Sequence, residues 1–347
     1  MQLSKEKMKE LLQKLIETKR VFAPVNENGN TNFLPISNPD SIDLDTVRTK
    51  APAKEVVFPQ ADKIVTLYSK DGAIQKIEDV ARIEETVLFG ARPCDARGIE
   101  ILDNFFLAQS RKDGGEQKYS DPYWKERREK TTIISTACTR PLATCGCSSL
   151  GIHPASEKGA DILLIPNGDK FDVMVVTNKG KELTSKYSEF FTDGGNPTET
   201  QQKVKNACEA LMTFAVDTSN AGKFENLRSD NPVWKKASFG CISCGVCTFF
   251  CPTCHCFETR DRKVACDKFE KTKCWDSCSF NNYSLEASGH NPRPVIVDRF
   301  SNRVLDKFQY HVTLYGEIAC TGCGRCSDLC PAGITLSDTL AKLGGAL

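Results

Sequence analysis

The stretch Cys241-Ile-Ser-Cys-Gly-Val-Cys-Thr-Phe-Phe-Cys-Pro252 decides the fold of this chain. Its spacing, C-x2-C-x2-C-x3-C-P, returns at Cys320-Thr-Gly-Cys-Gly-Arg-Cys-Ser-Asp-Leu-Cys-Pro331. In bacterial two-cluster ferredoxins such a run binds cubane [4Fe–4S] clusters: three close thiolates bind one cluster and the fourth binds the other. The two runs therefore predict two [4Fe–4S] sites, whereas a zinc site would leave the repeated eight-cysteine arrangement unexplained.

Pairing the two runs by pseudo-symmetry assigns the ligands of each cluster. The first predicted set consists of Cys241, Cys244, Cys247 and Cys330. The second predicted set consists of Cys320, Cys323, Cys326 and Cys251.

The composition excludes several other classes of protein. The chain has 347 residues and 18 cysteines, with 46 Lys and Arg against 45 Asp and Glu, a formal net charge of +1. This balance favours neither nucleic acid nor an anionic membrane as a partner. No apolar run reaches membrane-spanning length, and residues 1–8 lack the apolar core of a secretory signal. We expect a protein of a reducing, anaerobic cytoplasm without membrane insertion.

The pattern along the chain predicts two domains and a linker. Residues 1–216 read as a mixed α/β adaptor domain, and residues 217–232, rich in Ser, Asn, Asp and Gly, read as the linker. Residues 233–347 are predicted to form an α+β two-cluster domain of the bacterial-ferredoxin type, with a long insert at 252–319.

Local periodicity predicts the elements of the first domain. An amphipathic helix is expected at 4–19, with Ser4 as its cap. Four strands follow, and they are predicted at 55–58, 64–67, 86–89 and 131–134. A hairpin is predicted with strands at 162–165 and 171–177 and a turn at 178–180. A further helix is predicted at 198–216.

A second group of cysteines follows two of these strands. Cys94 lies after strand 86–89, and Cys138, Cys145 and Cys147 follow strand 131–134. If the two strands are neighbours in one sheet, the loops at their C-terminal ends converge. The four thiolates then suffice for a third [4Fe–4S] cluster, with zinc or unligated thiols as the alternatives. Cys208 is predicted to be a core residue.

The insert carries further cysteines and a basic stretch. An additional metal site could use Cys254, Cys256, Cys274 and Cys278, although these spacings match no established template and the thiols could simply line the domain. Cys266 lies in the same segment, and its role is open. The basic residues could dock an acidic ferredoxin or form a solvated face; they are Arg293, Arg299, Arg303 and Lys307.

The chain resembles the [4Fe–4S] proteins exemplified by the A-type component of anaerobic sulfite reductase and the beta subunit of cytoplasmic sulfhydrogenases. The resemblance rests on motifs between about residues 87 and 335; they are Gly90-Ala-Arg-Pro-Cys94-Asp95, Cys145-Gly-Cys147, the string 241–256, Trp275-Asp-Ser-Cys278, Gly289-His-Asn-Pro-Arg293 and Cys320-Thr-Gly-Cys-Gly-Arg-Cys326. One departure is Gly146, where many members of the family carry an aromatic residue.

The resemblance implies an electron-transfer subunit rather than a complete enzyme. Such subunits relay single electrons between a flavin-containing NAD(P)H-reactive subunit, or ferredoxin, and a catalytic partner such as hydrogenase, sulfite reductase or transhydrogenase. The chain itself shows no Gly-rich nucleotide motif, no flavin site and no nucleophile–base set. Two alternatives stay open: a catalytic iron–sulfur or thiol reductase acting on a disulfide or sulfur substrate, and a non-enzymatic redox sensor.

Overall fold

Two β-sheets and a set of helices make up the chain in the computed structural model, which describes residues 1–79, 83–107, 111–112, 119–227 and 230–347. The strands are β1 Gln2–Ser4, β2 Arg20–Glu27, β3 Asn30–Pro35, β4 Ala61–Lys70, β5 Ala73–Asp79, β6 Thr86–Ala91, β7 Thr131–Thr136, β8 Ile162–Asn167, β9 Lys170–Val175, β10 Phe257–Ala265 and β11 Lys268–Trp275. The mixed α/β class predicted from the sequence is confirmed.

The helices alternate with the strands in the N-terminal half and dominate the C-terminal half. They are α1 Lys5–Ile16, α2 Pro93–Phe106, α3 Pro122–Lys130, α4 Asn178–Lys186, α5 Pro197–Glu209, α6 Pro232–Ala237, α7 Val246–Phe249, α8 Ile296–Leu305, α9 His311–Tyr315, α10 Arg325–Asp328 and α11 Leu336–Gly344. A π-helical turn at Asp306–Tyr310 joins α8 to α9.

The larger sheet has the strand order β1-β9-β8-β7-β6-β2-β3. Its four central strands, β8, β7, β6 and β2, are parallel, and the edge strands pair antiparallel. Every residue of β6 is buried, as expected of a central parallel strand covered on both faces. Successive side chains of β6 alternate between the faces, so that Val87 and Phe89 pack in the core beneath α1 while Leu88 packs in the core beneath α2.

The smaller sheet joins the two halves of the sequence. Its order is β10-β11-β4-β5, and all its pairs are antiparallel. Strand β11 pairs with β4 from Lys268↔Tyr68 to Cys274↔Ala61. Trp275, at the end of β11, packs in the same core as Phe58 and Phe106. The segment that separates the two cysteine runs is thus hydrogen-bonded to the N-terminal half.

Most of the local predictions agree with the structure. Helix α1 is capped by the Ser4 side chain, and strands β4, β6, β7, β8 and β9 overlap the strand-like runs that were predicted. Three predictions were wrong. The helix predicted at 198–216 ends at Glu209, because Phe214 and Val216 pack instead in a non-helical segment against the core under the cysteine runs. Residues 55–58 are not a strand, because the backbone at Ala53–Val56 forms a 3-10 helix. Residues 178–180 are not a turn, because the Thr177 side chain caps helix α4 there.

A separate apolar core lies under the cysteine runs. It is built mainly from α6, α8 and α11 and includes Trp234, Val304, Phe308 and Leu340. Cys320 and Cys326 pack against this core, so the cysteine loops rest on a layer of helices.

Candidate metal centres

The two cysteine runs fold into the same local structure. In each run a glycine in the left-handed region precedes a four-residue helix: Gly245 before α7 has φ 77° and Gly324 before α10 has φ 76°. In both helices the third residue donates its backbone N–H to that glycine's carbonyl at 3.0 Å. An L-side chain rarely adopts this conformation, which accounts for a glycine at the same place in both runs.

The first cavity lies inside the first run and is closed by the end of the second. Its lining includes all four thiols of the first predicted set, Cys241, Cys244, Cys247 and Cys330, together with Cys326. Residues of the run thus meet a cysteine from the other run, as the crossed pairing requires.

The second cavity contains the second predicted set. It is lined by Cys320, Cys323, Cys326 and Cys251, with Arg303 and Lys307 beside them. Cys251 comes from the first run and the other three thiols from the second. Burial raises the pKa of Cys320 to about 12 and that of Cys323 to about 11, so loading a metal at these thiols requires proton release.

The third cavity contains the N-terminal cysteines. Strands β6 and β7 are parallel neighbours, with Ala91 paired to Ser135, as the prediction required. Cys94 lies in the first turn of α2 and Cys138 follows β7. The cavity is lined by Cys94, Cys138, Cys145 and Cys147, and also by Cys208 and Cys323. Cys208 is buried as predicted, but its place beside these thiols was not anticipated.

The three cavities adjoin one another in a row. Cys326 lines both the first and the second cavity. Gly322 and Cys323 line both the second and the third. At the latter junction the backbone N–H of Gly146 donates to the carbonyl of Gly322 at 2.9 Å. The row of cavities extends from the C-terminal cysteine runs to the edge of the N-terminal sheet, and neighbouring cavities share a cysteine at each junction.

Three of the four residues of the basic stretch in the insert lie inside the protein, and neither sequence interpretation holds for them; Arg293 is partly exposed. Arg299, Arg303 and Lys307 are buried, so they form neither a docking surface nor a solvated face. Arg303 donates two hydrogen bonds to the carbonyl of Cys247, at 3.2 and 2.9 Å. The sequence showed the helical spacing of these residues, but it did not show which side of the helix was buried.

Lys54 is another buried cation close to the cysteine runs. It is fully buried, donates to the carbonyl of Cys254 at 2.7 Å and lies 4.1 Å from the centre of the Trp275 ring. Burial lowers its pKa to about 8, although the nearby thiols of Cys254 and Cys251 oppose that shift. Burying a cation in this way is costly unless a negative charge lies close by.

The insert cysteines do not gather at one point. The thiol of Cys254 lies next to that of Cys251, and the thiol of Cys256 next to that of Cys278. Cys274 lies on β11 and Cys266 is exposed. Among the residues that the structure describes, no group of three or more His, Cys, Asp or Glu side chains is arranged to hold a single metal ion.

Comparison with known proteins identifies the class to which this fold and these sites belong. Residues 240–334 match the 4Fe–4S dicluster domain, so the C-terminal part is an iron–sulfur electron-transport domain. Over 338 residues, 96% of this chain and 94% of its relative, the sequence is 31% identical to sulfhydrogenase 2 subunit beta of Pyrococcus furiosus. The chain belongs to the family of 4Fe–4S sulfhydrogenase beta-type subunits, which confirms the resemblance.

One comparison gave no match, and one structural property completes the description. No solved structure matches the chain significantly. Within the described ranges, no helix has the length and apolar character needed to cross a membrane.

Proposed function

We propose that this chain is an iron–sulfur subunit that relays single electrons through a row of three [4Fe–4S] clusters. The observation that carries the proposal is the continuity of the three thiol-lined cavities, which share Cys326 at one junction and Cys323 at the other. A protein that only stored clusters would have no need to align them from the helical layer to the edge of the larger sheet.

The proposed ligands are the three predicted sets. Cys241, Cys244, Cys247 and Cys330 would hold the first cluster; Cys320, Cys323, Cys326 and Cys251 the second; Cys94, Cys138, Cys145 and Cys147 the third. When bound, such a cluster supplies reversible one-electron transfer. The residues around it hold the thiolates in place, exclude water and set the local charge.

The buried cations support negatively charged groups in these cavities. A cubane with four cysteine thiolates carries net negative charge, and a buried cation without a counter-charge would be destabilising. Arg303 reaches the first and second cavities, and Lys307 the second. Both side chains are buried, which is what the counter-charges of such clusters would require.

The proposed setting is a multi-subunit oxidoreductase of the cytoplasm. The relative from Pyrococcus furiosus is named as a beta subunit of a sulfhydrogenase, which supports a complex with other subunits here. The partners proposed are a flavin-containing NAD(P)H-reactive subunit or ferredoxin on one side and a catalytic subunit on the other. We also propose the division into an adaptor domain at 1–216, a linker at 217–232 and a dicluster domain at 233–347 with the insert 252–319.

One observation favours a second candidate, a thiol reductase. The thiol of Cys278 lies next to that of Cys256 and lowers the pKa of Cys256 to about 6. A low-pKa thiol next to another thiol is the arrangement that dithiol reductases use. Cys278 is buried, however, which leaves little access for a disulfide or sulfur substrate and makes this the weaker candidate.

The two candidates differ in what the isolated chain can do. We expect the anaerobically reconstituted protein to accept about 3 electrons per chain from dithionite, one for each cluster, and to return them to cytochrome c. Turnover of polysulfide or a small disulfide should be absent. Sustained turnover by the isolated chain, abolished by Cys256→Ser, would overturn the relay proposal in favour of the reductase.

A further inference from the structure

We infer that the surface around Cys244 is the docking site for a redox protein that presents an acidic rim around its own cofactor. We call this surface the Cys244 face; it comprises Lys235, Lys236, Phe239, Ile242, Cys244, Pro331 and Ala332. The inference rests on the proposed function, because it assumes that Cys244 binds the first cluster.

Two large apolar side chains on this face are exposed to solvent. Phe239 is 86% exposed and Ile242 is 66% exposed. They flank Gly240 and Cys241, and the N–H of Cys241 donates to the carbonyl of Ser238 at 2.9 Å, which fixes the loop between them. Exposed aromatic and aliphatic side chains that are held close together are typical of the centre of a protein interface.

The apolar residues lie at the mouth of the first cavity. Ile242, Pro331 and Ala332 are part of its lining. The loop carrying Phe239 reaches the same place, since a Cβ added at Gly240 would lie 3.9 Å from the Cβ of Ala332. Two segments that are distant in sequence, 238–244 and 330–332, therefore form one continuous surface.

The cluster ligand at this surface indicates what kind of partner would cover it. Of the twelve predicted ligands, all within the described part of the chain, Cys244 is the one whose side chain is exposed. A partner seated on Phe239 and Ile242 would bring its own surface against that thiol. A partner without a redox centre would only shield the first cavity from solvent. We therefore expect a partner that carries a redox cofactor near its surface.

The charge at the edge of the face selects an acidic partner. Lys235 and Lys236 lie on α6 just before Phe239, and both are exposed. The segments 232–244 and 330–339 together contain these two lysines and one exposed carboxylate, Asp338. Opposite charges around an apolar centre accelerate encounter and fix the orientation of the two proteins.

The test uses a bacterial-type ferredoxin with an acidic surface as the probe. Its affinity for the reconstituted holoprotein is measured by titration at low and high salt, and its rate of electron transfer to the chain by stopped flow. We expect Phe239→Ser, and separately Lys235→Glu with Lys236→Glu, to weaken binding about tenfold or more. The rate should fall in parallel, and salt should weaken binding of the unaltered chain.

Matched controls carry the same chemical changes elsewhere. Ile77→Ser removes a side chain that is 63% exposed on β5, and Lys170→Glu with Lys181→Glu makes the same change of charge at two other exposed lysines. These controls should bind ferredoxin normally. Reduction by methyl viologen, which needs no docking surface, should be unchanged in every variant.

The outcomes separate this inference from the proposed function. Normal iron content and normal reduction by methyl viologen, with ferredoxin binding unaffected by the Cys244-face variants, would overturn the docking site alone. Self-association of the chain that disappears in Phe239→Ser would also overturn it, because the face would then cover a second copy. A chain that holds no clusters would instead remove the proposed function itself.

Discussion

At the scale of single residues, the protein places its positive charges where clusters would need them. The amine of Lys307 donates to the hydroxyl of Thr253 at 3.0 Å, and that hydroxyl lies 3.2 Å from the sulfur of Cys251. Burial alone lowers the pKa of Lys307, but the sulfurs of Cys251 and Cys254 raise it by more than that, so that it lies well above its usual value. Lys307 is therefore a cation that acts on the second cavity through Thr253.

Replacing Lys307 by Gln should make the potential of the second cluster more negative. Reduction adds negative charge, and a buried positive charge several ångströms away stabilises the reduced form by about 2 kcal/mol at an effective dielectric near 20. For one electron this corresponds to a shift of about 90 mV. The shift is measured by redox titration followed by electron paramagnetic resonance.

The conservative variant Lys307→Arg separates charge from packing. It keeps the cation and should keep a potential near that of the unaltered chain. Equal potentials in Lys307→Gln and the unaltered chain would contradict a charge-compensating role, whatever happened to stability.

At the scale of elements, a buried ion pair joins the two parts of the molecule. The guanidinium of Arg325, at the start of α10, donates to both oxygens of Asp95 in α2, at 2.8 and 2.9 Å. Both side chains are fully buried, and Arg325 also donates to the carbonyl and the hydroxyl of Thr49, each at 3.0 Å. This contact fixes the helix inside the second cysteine run against the helix that carries Cys94.

Breaking the pair from one side should be costly. Asp95→Ala leaves an unpaired buried guanidinium, and we expect a loss of about 3 kcal/mol in the free energy of unfolding. For a chain of this size the midpoint of anaerobic thermal unfolding should fall by roughly 5 °C.

A double-mutant cycle checks that the loss comes from the pair. Asp95→Ala combined with Arg325→Ala removes both charges, and should cost clearly less than the sum of the two single variants. Strict additivity would mean that the two side chains do not depend on each other.

Elements defined by local periodicity were predictable, and elements that depend on distant partners were not. Ser4 and the apolar stripe of α1 are enough to specify that helix, and the short runs rich in apolar and β-branched residues at 86–89 and 131–134 are enough for β6 and β7. Strands β10 and β11 were missed because most of their residues are polar and partly exposed. Their stability depends on pairing with β4, which lies some two hundred residues earlier in the chain.

At the scale of the whole molecule, the sequence indicates which thiols line each cavity but not how the cavities lie relative to one another. Each of the first two cavities is lined by the four thiols that the spacing of the runs pairs, because each run has a known local geometry. Nothing local indicates that Gly146 would contact Gly322 or that Cys323 would lie between two cavities. Those contacts join the loop after β7 to the second cysteine run, so a continuous row of cavities is a property of the assembled tertiary structure.

The third site is where this distinction matters most. Its four predicted thiols come from one sheet edge, but Cys208 from α5 and Cys323 from the second run share the same cavity. Burial raises the pKa of Cys208 to about 12, which favours the protonated thiol unless a metal binds it. Cys208 therefore serves as a matched control for Cys145, since both thiols line the cavity and only Cys145 is a predicted ligand.

The most direct measurement is iron and acid-labile sulfide per chain, on protein purified and reconstituted without oxygen. Three cubane clusters require about 12 irons, and two require about 8. We predict about 12 for the unaltered chain and for Cys208→Ser, falling to about 8 for Cys145→Ser. A value of about 8 for all three proteins would contradict the row of three clusters and confine electron transfer to the C-terminal domain.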